Sequence, residues 1–138
     1  MIQEINTMEI KDILEKHRVV AVVGLSPNPE RPSHRVARYL QSAGYRIVPV
    51  HPAAKEILGE KTYPTLQHIP FPVDIVDVFR KAEDVPPIAR QAVEVKAKVL
   101  WLQEGIVSDE AAEACRAAGL EVVMDKCMLK EHRRCLCL

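Results

Sequence analysis

RVVAVVGLSPNPERPSHRVARYL, Arg18 to Leu40, runs from an unbroken β-branched stretch through a glycine and a proline-laced turn into an apolar stripe of helical spacing. A strand that is apolar at successive positions is buried on both faces. Such strands belong to parallel sheets covered by helices, whereas a half-exposed strand alternates. Val36, Ala37, Tyr39, Leu40 and Ala43 then mark one face of a helix, and Gly44 stands where a left-handed residue would close it. The unit is strand, turn, helix.

The same grammar recurs along the chain. YRIVPV (45–50), VDIVDVF (73–79), KVLWLQ (98–103) and LEVVMD (120–125) read as strands. AEDVPPIARQAVEVK (82–96) and SDEAAEACRAAG (108–119) read as helices, the second with Ser108 as N-cap and Gly119 as terminator. Upstream, Asn6 and Glu9 resemble a capping box, and Ile10, Ile13, Leu14 and His17 share a face, which predicts a leading helix over 8–17. Residues 51–72 fit least well. They read as an irregular connection with one helical turn at 55–58 and an extended piece near 61–63. Strands alternating with helices imply right-handed crossovers and a three-layer, doubly wound, mostly parallel α/β sheet of the Rossmann-like kind. One domain over 1–138 is expected, with 1–17 as its leading helix and 128–138 as a C-terminal tail.

Composition excludes several classes of function. Nineteen basic residues balance nineteen acidic ones, and aromatics are scarce at 4%, so the footprint of a nucleic-acid binder is missing. No apolar run reaches the roughly 18 residues of a membrane span, and the N-terminal stretch carries acids without an apolar core. A soluble, cytoplasmic protein is expected. Cys115, Cys127, Cys135 and Cys137 then read as reduced thiols. A zinc site of Cys127, His132, Cys135 and Cys137 is the sharper alternative, but the ligands do not form two spaced CxxC pairs.

Ligands of doubly wound sheets sit outside the carboxyl ends of the strands, so residues 24–33 are the first candidate site. Gly24 makes the tight turn, and the helix N-terminus near Ser33 favours a phosphate. Ser26, Asn28 and Ser33 add polar donors and Arg31 a charged one. Ser33 as an ordinary N-cap and Asn28 as an ordinary turn residue are the plainer readings. The GxGxxG of nicotinamide binders is broken, because Ser26 replaces its second glycine. The acid expected after the second strand is also missing: VPVHPAAK (48–55) offers His51 and Lys55 instead. That favours a ligand with an additional phosphate near its ribose, which both NADP and coenzyme A (CoA) carry.

GLSPNPERPS, VPVHP, VDIVDVFR, KVLWLQEG and VVMDKC, between Val19 and Cys127, together resemble the successive motifs of small CoA-binding domain proteins. The fold of that family is similar to the N-terminal CoA-binding domain of the succinyl-CoA synthetase alpha subunit. The resemblance implies that Gly24, Ser26, Asn28, Arg31 and Ser33 hold the coenzyme's phosphates. It implies that His51, Pro52 and Lys55 lie by the adenine and 3′-phosphate. Val78, Phe79 and Arg80 would face the adenosine or the start of the pantetheine arm, and Gln103, Gly105, Asp125, Lys126 and Cys127 would line the remaining rim. Trp101 reads as core, and Phe79 as core or contact. Cys127 reads as an inert buried thiol or, if partly exposed beside Lys126, as a candidate for thiol exchange with CoA.

No catalytic constellation stands out among His17, His34, His51, His68 and His132, and no Walker sequence or HExxH is present. The expected function is binding of CoA or an acyl-CoA by a carrier, a sensor or a partner of an unidentified enzyme. An NADP-dependent oxidoreductase using Asp125 and Lys126 is the alternative, and a regulatory subunit with a vestigial pocket is a third.

Overall fold

The computed structural model describes residues 7–136. In chain order the elements are α1 (Thr7–Lys16), β1 (Val19–Val23), α2 (Pro32–Ser42), β2 (Arg46–Val50), β3 (Glu56–Ile57), β4 (Glu60–Lys61), β5 (Ile75–Val78), α3 (Val85–Glu94), β6 (Val99–Leu102), α4 (Asp109–Ala117), β7 (Glu121–Val123) and α5 (Met128–Leu136). Five of the strands form one sheet in the order β2-β1-β5-β6-β7, parallel throughout. From β1 the chain steps outward to β2 and then crosses back to β5, so the order reverses between β1 and β5. This is the doubly wound, Rossmann-like architecture, and its switch point is where a ligand crevice opens.

The continuous apolar strands are explained by what covers them. Val20, Val22, Ile47, Ile75, Val99, Trp101 and Val123 face the layer of α1, α2 and α5. Ala21, Val23, Val48, Val50, Val76, Val78, Leu100, Leu102 and Val122 face α3 and α4. Trp101 is core, with its indole Nε1–H donating to the Lys126 carbonyl at 2.8 Å. Among the described residues, no helix is long and apolar enough to cross a membrane.

Three segments differ from the sequence reading. Residues 55–58 are not a helical turn, because β3 and β4 pair as an antiparallel hairpin across Leu58 and Gly59. Both turn residues have positive φ, 56° and 76°, the geometry of a two-residue hairpin turn. The extended piece expected near 61–63 is present, and Tyr63 forms a parallel bridge to Val50 that extends the sheet edge. The predicted helix over 82–96 opens as a 3₁₀ turn, Ala82–Asp84, and becomes α-helical only where Pro86 and Pro87 occupy the first turn, which they suit because they lack the N–H that is unpaired there. The C-terminal tail contains α5. Its apolar contribution is narrow, with Met128 and His132 buried, and the Tyr39 hydroxyl meets His132 Nδ1 at 2.7 Å. Asn6 of the predicted capping box lies outside the described residues.

Candidate functional site

The turn after β1 is built by the first residues of α2. Ser33 is not the N-cap: Arg31 holds that position without a side-chain bond, and Ser33 is buried, with its Oγ accepting from Ser26 N–H at 3.0 Å. His34, which sequence reasoning left among scattered histidines, donates from Nδ1 to the Ser26 carbonyl at 2.9 Å. A carbonyl only accepts, so the bond fixes the tautomer. Arg35 donates to the Glu30 carbonyl at 2.7 Å. Consecutive residues of one helical turn therefore hold both ends of the loop.

The loop's own polar atoms are used asymmetrically. Ser26 Oγ accepts from Asn28 N–H at 3.1 Å, and Asn28 Oδ1 accepts from Glu30 N–H at 3.0 Å. After β2, His51 Nδ1 accepts from the N–H groups of Ala53 and Ala54 at 3.1 and 2.8 Å, which leaves its proton on Nε2. Ser26 and Asn28 each use an acceptor internally and retain a donor: the hydroxyl hydrogen and the amide NH2. Together with His51 Nε2–H these are donors without protein acceptors among the described residues. Arg31 and Lys55 are exposed on the same two loops. The result is a set of groups suited to an anion.

A cleft of about 530 Å³ opens at the carboxyl ends of β1 and β2, walled on its other side by the start of α3. It brings together Gly24, Ser26, His51, Pro52 and Arg80 of the expected residues, over an apolar floor that includes Val23, Val50 and Ile88. Thr65, Glu83, Asp84 and Gln91 complete its lining. Asp84 takes the Arg80 guanidinium at 3.4 Å in an exposed pair, a contact weak enough for a ligand phosphate to displace. Asn28, Arg31, Ser33 and Lys55 do not line the cleft. Gly24 is the pivot of the site. Its φ is +87°, and a Cβ there would stand 2.6 Å from the Phe79 carbonyl oxygen. Only glycine lets β1 turn while the residues after β5 approach so closely.

The other expected residues separate from this group. Gly105 N–H donates to Asp125 Oδ1 at 2.6 Å and Lys126 N–H to the Leu102 carbonyl at 3.3 Å, so the loops after β6 and β7 form a second, joined rim. Val78 is fully buried and its carbonyl accepts from Gln103 N–H, so it offers no side chain to a ligand. Phe79 is half-buried and packs toward α2 and α5. Cys127 is buried in that same layer at 9% exposure, which removes the access that thiol exchange requires. The described residues contain no cluster of three or more metal-ligating side chains. Cys137 lies outside them, and His132 Nδ1 is already engaged by Tyr39.

Sequence reasoning also passed over Asp77. It is fully buried in β5, where Oδ1 accepts from Gln103 Nε2 at 2.7 Å and Oδ2 meets no donor. Burial raises its carboxyl to about 7, against the opposing effect of the Gln103 bond.

The CoA-binding domain family model matches residues 18–133 of the chain. The chain belongs to that family. YneT of Bacillus subtilis is 44% identical over 124 residues, which is 90% of this chain and 92% of YneT. The ADP-forming acetate–CoA ligase I of Archaeoglobus fulgidus is 26% identical over 121 residues, covering 80% of this chain but 18% of the ligase. This CoA-binding domain therefore corresponds to a small part of that longer enzyme. A solved structure from Pyrococcus horikoshii OT3 superposes with a TM-score of 0.93 at 36% identity, covering 99% of this chain and 98% of that one.

Proposed function

We propose that this protein binds CoA or an acyl-CoA with the nucleotide end in the cleft at the ends of β1 and β2, and that it acts as a carrier, sensor or partner subunit of an enzyme. The observation that carries this reading is the one-sided chemistry of the two loops. Ser26, Asn28 and His51 all use acceptors internally and keep donors that meet no acceptor among the described residues, on the two loops that also carry the exposed cations Arg31 and Lys55. Phosphates are acceptors, and CoA has them at both the pyrophosphate and the ribose. The apolar floor suits adenine. Membership of the CoA-binding domain family supports the same ligand.

The two cations separate the two phosphate groups. Arg31→Ala is expected to weaken CoA and dephospho-CoA alike by about 1.5 kcal/mol, roughly tenfold, through loss of a charged hydrogen bond to the pyrophosphate. Lys55→Ala is expected to weaken CoA and leave dephospho-CoA nearly unchanged, because only CoA carries the 3′-phosphate. Calorimetric titration of both variants with both ligands tests the assignment; equal losses for Lys55→Ala would place that lysine elsewhere.

A further inference from the structure

Asp77 stands mid-sheet with Val22 of β1 and Trp101 of β6 as its register neighbours, entirely out of solvent. A buried carboxyl with one oxygen unbonded is unfavourable, and its apolar surroundings give no packing reason for an acid there. Among the described residues its side chain has one partner, Gln103, one residue beyond β6. With Nε2 turned inward to Asp77, Gln103 Oε1 has no donor among the described residues. Gln103 is itself buried, at 4% exposure, but unlike Asp77 Oδ2 its Oε1 is not fully enclosed, so that oxygen is the part of the pair that touches solvent. The carboxamide thus connects the core to the carboxyl edge of the sheet, the edge that carries the cleft.

An amide side chain can present either end to a ligand, and an ionised carboxylate, which only accepts, decides which. We propose that Asp77 is a positioning residue, holding the Gln103 carbonyl oxygen outward to accept an amide N–H from the pantetheine arm of the coenzyme. The inference rests on the CoA reading and adds to it the group that would be recognised beyond the nucleotide, a secondary amide. Asp77 acts only through Gln103, and that dependence is measurable.

The test titrates the full-length protein at pH 8 with CoA and with adenosine 3′,5′-bisphosphate, which has no arm. Gln103→Met and Asp77→Leu are each expected to weaken CoA about five- to tenfold, the value of one hydrogen bond, and to leave the bisphosphate unchanged. The double variant is expected to lose no more than either single one, since both remove the same contact. Losses that add, that fall equally on both ligands, or that do not occur would overturn the proposal while leaving the nucleotide site intact. Failure of the unaltered protein to bind either ligand would overturn the CoA reading itself. Gln103→Met does not touch the buried acid, so its result decides the matter even if Asp77→Leu does not fold.

Discussion

Gly24→Ala is expected to lower folding stability by about 2–5 kcal/mol and to abolish measurable CoA binding. Two effects add. Positive φ at +87° disfavours any L side chain, by about 1–2 kcal/mol. The new Cβ would also stand 2.6 Å from the Phe79 carbonyl oxygen and 3.0 Å from Arg80 Cδ. The arginine stem can move, but the carbonyl cannot move easily, because Phe79 N–H is bonded to the Val23 carbonyl at 2.9 Å. Relief therefore means separating the ends of β1 and β5, which is where the cleft begins. Gly59→Ala provides the control, with a similar φ of +76° and no atom within 4 Å of the added carbon. Urea unfolding of the two variants should show Gly59→Ala losing about 1–2 kcal/mol and Gly24→Ala clearly more. Equal losses would show that the approach of Phe79 does not constrain the turn.

Asp77 predicts a second large effect, in the dependence of stability on pH. Its folded value of about 7 lies above the 3.8 of an unperturbed aspartate. Below about pH 4 the group is protonated in both states and carries no penalty. Between there and about pH 7 the unfolded chain gives up the proton while the folded one keeps it, so stability falls as pH rises. Above about pH 7 both are ionised and the loss is constant, on the order of 4 kcal/mol. Asp77→Asn removes the titration. The stability of the Asn variant relative to the unaltered protein should therefore rise from pH 4 to pH 8 by an amount of that order. Chemical denaturation at the two pH values measures it; a difference that does not change with pH would mean that Asp77 is ionised throughout.

The sheet was legible because its strands advertise burial on both faces. VVAVV, IVDV and VLWL are flanked by helices with clear apolar stripes, and that pattern has one common architectural solution. Less was legible where conformation depends on what a residue meets in space. KEIL has helical composition, yet Leu58 takes a positive φ that its type does not announce, and the hairpin follows from it. In α5, MLKEHRRCL is so polar that its buried pair, Met128 and His132, is inconspicuous. At the site, the Gly24, Ser26, His51, Pro52 and Arg80 grouping follows from strand ends alone. The burial of Ser33 and Val78 was not legible because exposure is a tertiary property: each lies at a strand or helix end and points inward. Asp77 was invisible because an acid in a strand suggests a solvated face, and only the covering layer of α1, α2 and α5 shows that there is none.

Calorimetric titration of the purified full-length protein with CoA, dephospho-CoA, NADP and NAD at one salt concentration tests the central claim most directly. The donor-lined loops and the cleft predict that CoA binds, that dephospho-CoA binds distinctly more weakly, and that NAD does not bind. Binding of NADP without CoA, or heat from none of the four, would contradict it.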